Sequence, residues 1–322
     1  MMRRKFIGLL GGTMAWPLAA RAQQAGKMHV LLWVSTEAQP DPFIDSFREG
    51  MKARGYVEGR NLAFILRYAP ANPAALQAML PDLLATPADL IVSSGPAILA
   101  MKAATTRPVL FAISGDPVAL GIVESLPRPG RNFTGSTFMS LALAQKRVHL
   151  LQELLPQMRT LAVLTNTNHP GEQSEHNATK VAAEALGIRL ANAPFASPAE
   201  LDGALERVRT SGAQAMLVYP DGVTMVNRVK IADFLKVHRL PSMFGWREYC
   251  AAGGLASYGA SQRATYARLA NYADRLLRGE SPGDLPVEQP TTFELIINLK
   301  TAKSLGLDVP APLLARADEI IE

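Results

Sequence analysis

The chain has 322 residues, 48% hydrophobic and 19% charged, with a formal net charge of +5. Four of its 33 basic residues and none of its 28 acidic ones fall in the first 22 positions, so the rest is close to neutral, which argues against a nucleic-acid partner. One cysteine, Cys250, excludes an internal disulfide, and no apolar run is long enough to anchor in a membrane, so an ordinary apolar core must hold the fold.

The first 22 residues predict an export signal. Arg3-Arg4-Lys5 form a basic head, Phe6 to Ala19 a short apolar run, and Ala20-Arg21-Ala22 an A-x-A cleavage site. The paired arginines point to the twin-arginine route, although Met2 stands where Ser or Thr is usual; the general secretory route is the alternative. Either route predicts a product starting near Gln23 outside the cytoplasm. No cysteine follows the cleavage site to take a lipid, so the expectation is a periplasmic protein that is not lipid-anchored.

From residue 29 the pattern alternates strands and helices. The apolar run 29–35 predicts a buried parallel strand, and Phe43, Phe47 and Met51 follow helical spacing after Pro42. Strands are expected at 61–68, 89–93, 108–113 and 132–138, with a helix at 73–84. The pattern then restarts with a helix at 143–155 and a strand at 160–166. Helices at 172–186, 198–210 and 223–238 alternate with strands at 188–191 and 213–219. Short strands at 241–244 and 254–258 precede a long helix at 262–277, whose Tyr266, Leu269, Ala270, Ala273 and Leu276 make one apolar stripe. Two such series predict an α/β protein of two doubly wound parallel-sheet lobes.

Parallel sheets bind ligands at the carboxyl ends of their strands. In the first lobe the hydroxyl- and glycine-rich segments Ser94-Gly95-Pro96, Ser114-Gly115-Asp116 and Thr134-Gly135-Ser136-Thr137 are therefore candidates to hold a carboxylate. Asp116, just before Pro117, is expected to serve mainly as a helix cap. In the second lobe Asn166, Tyr219, Asp221, Trp246 and Tyr258 complete the expected site, with Asp221 facing an amine. No catalytic motif is expected: a G-x-S-x-G nucleophile turn is not anticipated, and H-E-x-x-H, the P-loop and G-x-G-x-x-G are all absent. His169 and His176, seven apart with Pro170-Gly171 between them, read as a solvated helix start rather than a metal site, and no cofactor is expected. Cys250, beside Tyr249 and two alanines, reads as a small buried residue.

Three groups of residues also resemble a known family. The first is Ser114-Gly115-Asp116-Pro117-Val118 with Gly121, Ser125-Leu126, Arg128-Pro129-Gly130, Asn132 and Thr134-Gly135. The second is Arg247-Glu248-Tyr249, Gly253-Gly254-Leu255 and Ser257-Tyr258-Gly259, and the third Phe293 to Ala302 with Leu314 to Glu319. Together they resemble the substrate-binding proteins of ABC transporters, including receptors linked to tryptophan and other amino acids. Departures are Arg131 in place of a usual Gly, and Ser94-Gly95-Pro96 where Gly-Thr-Pro is common. The resemblance implies a type 1 periplasmic-binding-protein fold, with three crossovers expected near Met139, near Tyr258 and within 281–290. Lobe 1 would be residues 23–139 plus about 259–281, and lobe 2 residues 140–258 plus about 282–322. It further implies a non-enzymatic, monomeric receptor that captures a small carboxylate, such as an aromatic amino acid, and delivers it to an inner-membrane ABC permease. A ligand-sensing module for a membrane signalling partner is the alternative on the same fold.

Overall fold

The structure is a computed structural model that describes residues 27–35, 41, 43–68 and 73–322. The export signal and Pro42 lie outside the described residues. The first sheet comprises β1 (His29–Ser35), β2 (Leu62–Tyr68), β3 (Leu90–Ser94), β4 (Val109–Ile113) and β5 (Phe133–Thr137). They run parallel in the order β2-β1-β3-β4-β5. The near-continuous apolar runs of β1, β3 and β4 occupy its centre, where both faces are covered. Helices α1 (Ile44–Lys52), α2 (Pro73–Ala85) and α3 (Ala97–Lys102) connect the first strands. No helix follows β4; residues 116–131 form a chain of turns.

The chain then enters a second sheet. In order come α4 (Ser140–Leu154), β6 (Thr160–Asn166), α5 (Glu172–Ala185), β7 (Arg189–Phe195), α6 (Leu201–Thr210) and β8 (Ala215–Val218). They are followed by α7 (Gly222–Val226), α8 (Arg228–Val237), β9 (Ser242–Phe244), α9 (Arg247–Ala251) and β10 (Ala256–Gly259). The single helix expected at 223–238 is thus two, broken at Asn227. β7 extends four residues beyond the expected strand, through Pro194, which an edge strand tolerates.

Helix α10 (Gln262–Leu277) returns to the first sheet and packs along α1. The stretch after it stays there: Gly130 N–H donates to Gly283 O, Val287 N–H to Leu126 O and Glu288 N–H to Gly135 O. The third crossing therefore follows Glu288, inside the stretch 281–290 expected for it, although later than the lobe boundary of about 282. The chain ends with β11 (Glu294–Asn298), α11 (Leu299–Leu305), α12 (Ala311–Leu314) and β12 (Glu319–Ile321). These complete a sheet ordered β12-β11-β10-β9-β8-β6-β7, in which β11 runs antiparallel to β10.

One core cluster runs from the first sheet, through Trp33, Phe43, Phe138 and Tyr266, to Trp246 and Phe244 of the second, so the two lobes share an apolar seam beside the crossovers. At the first crossing Met139 adopts a left-handed backbone (φ 52°), an uncommon conformation for a side chain of this size. Beside the seam lies a buried ion pair. Arg147 Nη1 on α4 is 2.8 Å from Glu175 Oε1 on α5, and Arg147 Nε donates to Tyr258 O at 2.8 Å just before the second crossing. Burial outweighs the attraction of Arg147 and pushes the Glu175 carboxyl up to about 7.

Candidate functional site

The strand ends of the two sheets face each other across a small pocket of about 30 Å³, room for roughly a water molecule. From the first lobe come Ser94, Gly95, Ala112 and Ser114; from the second, His169, Asp221, Gly222 and Trp246; from the crossings, Phe138, Gln262 and Tyr266. Gly95 turns the chain sharply after β3 in a left-handed conformation (φ 60°), which is why a glycine suits that position.

The lobes touch at two places on the pocket rim. Ser114 Oγ lies 2.5 Å from His169 Nε2, both side chains buried. His169 Nδ1 accepts the Gly171 N–H at 3.2 Å, so the ring proton sits on Nε2 and is donated to Ser114. Burial holds this imidazole below its usual value of 6.5, and the opposing pull of Asp221 and Glu172 is weaker. Beside it the backbones of Gly115 and Gly171 meet: a Cβ added at Gly171 would stand 2.9 Å from Gly115 Cα.

Asp221 caps the start of α7, its Oδ1 accepting the Val223 N–H at 2.8 Å, while Asn166 Nδ2 donates to both carboxylate oxygens at 3.2 Å. Asn166 is thus placed directly behind Asp221 and holds it. The Trp246 ring meets Phe138 edge-on at 5.8 Å, and Tyr266 stacks on Phe43 at 5.3 Å, so fixed aromatic rings line one side of the pocket.

Other residues expected in the site lie elsewhere. Thr134 is inside β5, not at a strand end, and its hydroxyl donates to Leu285 O at 2.7 Å. The small residues 134–137 resemble a turn in sequence; in the fold they let β5 approach β4 so closely that a Cβ at Gly135 would collide with the Phe111 backbone. Asp116 is exposed, and with no helix following, its carboxylate closes its own turn by accepting the Val118 and Ala119 N–H groups. Gly115 and Asp116 line a separate groove beside the crossings, with Met139 and Gln289. Pro96 is buried at the start of α3. Tyr219 points to the far face of its sheet, where its hydroxyl donates to Thr179 Oγ1 at 2.8 Å. Tyr258 packs its ring against Phe293 and offers its carbonyl to Arg147.

His169, Phe138, Gln262 and Tyr266 were absent from the expected site. His169, expected at a solvated helix start, is instead buried in the turn that closes on Asn166 at the end of β6, and Gln262 opens the helix just after a crossing; both positions carried a usable signal. Cys250 is buried, and burial pushes its thiol up to about 12, so it stays protonated and unreactive. Gly279-Glu280-Ser281-Pro282-Gly283 spells G-x-S-x-G, but it links the end of α10 to a one-turn helix instead of a strand to a helix.

The chain matches the family described as ABC transporter substrate binding protein over residues 27–321. It is 23% identical over 273 residues to a tyrosine-binding protein of Clostridioides difficile (strain R20291), covering 83% of this chain and 78% of that one. It superposes on an ABC domain in complex with L-Trp from Streptococcus pneumonia with a TM-score of 0.82 and 23% identity, covering 92% of this chain and all of that one. The ligand-free, open structure of a substrate-binding protein with adhesive properties from Clostridium difficile matches with a TM-score of 0.62 and 21% identity, covering 91% and 99%. Family membership, together with two α/β lobes whose strand ends meet around one pocket, makes this chain an ABC transporter substrate-binding protein of the type 1 periplasmic-binding-protein fold.

Proposed function

We propose that this protein is the exported receptor of an ABC importer, a monomer that closes on an aromatic amino acid and passes it to a membrane permease. The observation that carries the reading is the pocket itself, where Asp221 from one lobe and the Ser94 and Ser114 strand ends from the other converge beside fixed aromatic rings. Asp221 suits the ligand's ammonium group, and the hydroxyls and N–H groups of the first lobe suit its carboxylate. The relatives that bind tyrosine and L-Trp support the ligand class, and the better superposition on the ligand-bound relative than on the open one supports a closed arrangement of the lobes. An amino acid is far larger than the closed pocket, so the lobes must part to admit it. The basic, apolar and A-x-A segments of residues 1–22 support export.

A thermal-shift screen of amino acids and sugars tests the ligand class, since a ligand that binds only the folded state raises the melting temperature by mass action. Aromatic amino acids should raise it and sugars should not; the reverse pattern would remove the proposed class. Asp221→Asn keeps a capping oxygen but loses the charge, so it should weaken binding by about 1.5–3 kcal/mol with little change in ligand-free stability. Unchanged affinity by calorimetry would take Asp221 out of ligand contact.

The Ser114–His169 contact makes binding depend on pH. The closed state holds the imidazole pKa below its usual 6.5, so the open state takes up the proton more readily. Closure is therefore favoured above that value and is lost as pH falls through it. Affinity should be flat above about pH 7 and fall by up to about tenfold per unit below 6.5. His169→Gln should flatten that profile; a variant with the wild-type pH dependence would assign it to another group.

A further inference from the structure

Among the buried polar atoms lining the pocket, Gln262 Oε1 has no hydrogen-bond partner among the described residues. The charged and imidazole groups opposite are already engaged: Asp221 by Asn166 and the α7 backbone, His169 by Ser114 and Gly171. Gln262 is 2% exposed, and it opens α10 directly after the second crossing, where Ser261 caps the helix. One helical turn on, Tyr266 faces the same pocket, together with Phe138 and Trp246. A buried amide oxygen without a partner is unfavourable, and a ligand that donates to it removes the penalty.

We infer that Gln262 reads a hydrogen-bond donor on the ligand's ring, a phenol O–H or an indole N–H, and so selects such rings over plain phenyl. The inference rests on the proposed capture of an aromatic amino acid. A neutral amide is a weaker partner than Asp221 for the ligand's ammonium, and it stands among the aromatic side chains that suit a ring. A site built to pair with a polar substituent rejects the analogue lacking it more strongly than an apolar pocket rejects a change of size, because the rejected analogue leaves the site's own group unpaired.

The test is calorimetry of wild type and Gln262→Leu with tyrosine, tryptophan and phenylalanine, plus melting curves without ligand. Wild type should bind tyrosine or tryptophan at least about tenfold tighter than phenylalanine. In the variant the gap should close to about twofold, with phenylalanine affinity little changed and the ligand-free protein melting no lower than wild type. An undiminished gap, or equal binding of all three by wild type, would remove this role and leave the proposed function standing. A variant that melts several degrees lower without ligand would show the amide bonded within the fold and overturn the inference. Failure of wild type to bind any of the three would overturn the proposed function itself, and this inference with it.

Discussion

Replacing Arg147 by methionine is expected to destabilise the protein by about 3–5 kcal/mol, because it removes one partner of a buried ion pair and leaves the other without compensation. The guanidinium also bonds Tyr258 O next to the second crossing, and Gly245 and Gly259 leave it space: a Cβ at either would stand within 3.5 Å of Arg147 Nη2. The loss should depend on pH. Glu175 already titrates at about 7, above its ordinary 4.5, so the stability it contributes is complete below pH 4.5 and is lost as pH rises through 7. Without Arg147 its pKa rises further, so the variant should weaken over a wider alkaline range than wild type. Denaturant melts at pH 5 and pH 8 check this, and Arg147→Met/Glu175→Leu should be more stable than the single variant. A loss under 1 kcal/mol at both pH values would mean that water reaches the pair.

Gly171→Val should spare the fold and damage binding. The Gly171 backbone has a negative φ (φ −100°, ψ 1°), so no left-handed strain is added, and within its own lobe the Cβ meets only the His169 ring, at 3.3 Å, so the ligand-free protein should melt only slightly below wild type. Closure brings its Cβ position to 2.9 Å from Gly115 Cα, and a backbone atom cannot swing away as a flexible side chain can. Crowding of this kind costs about 1–3 kcal/mol, so the dissociation constant should rise roughly 5- to 150-fold. Gly171→Ala should fall between. Scattering with saturating ligand should find the valine variant more extended than wild type. Wild-type affinity in that variant would mean that the lobes bind ligand without bringing these glycines together.

The strands and most helices were legible because their apolar runs are long and their punctuation clear, as in β1 and α10. The antiparallel β11 was not read, since a short Glu-Leu-Ile-Ile-Asn run gives no sign of its direction or partner. Within the site, the turns around Ser94, Ser114 and Asp221 were legible from the rule that ligands collect at strand carboxyl ends. That rule failed at Thr134, where small residues that serve strand packing imitate a turn. It failed at Tyr219 because one residue of register decides which face of a sheet a side chain meets. His169 and Gln262 were missed for a different reason: their positions beside a strand end and a crossing were legible, but what each does there depends on contacts between lobes.

The proposed capture of an aromatic amino acid is tested most directly by a native mass spectrum of the protein purified without unfolding, compared with its denatured spectrum. A one-to-one complex is expected, whose added mass is that of an aromatic amino acid and vanishes on denaturation. A retained sugar, or added mass that survives denaturation as a covalent adduct, would contradict it.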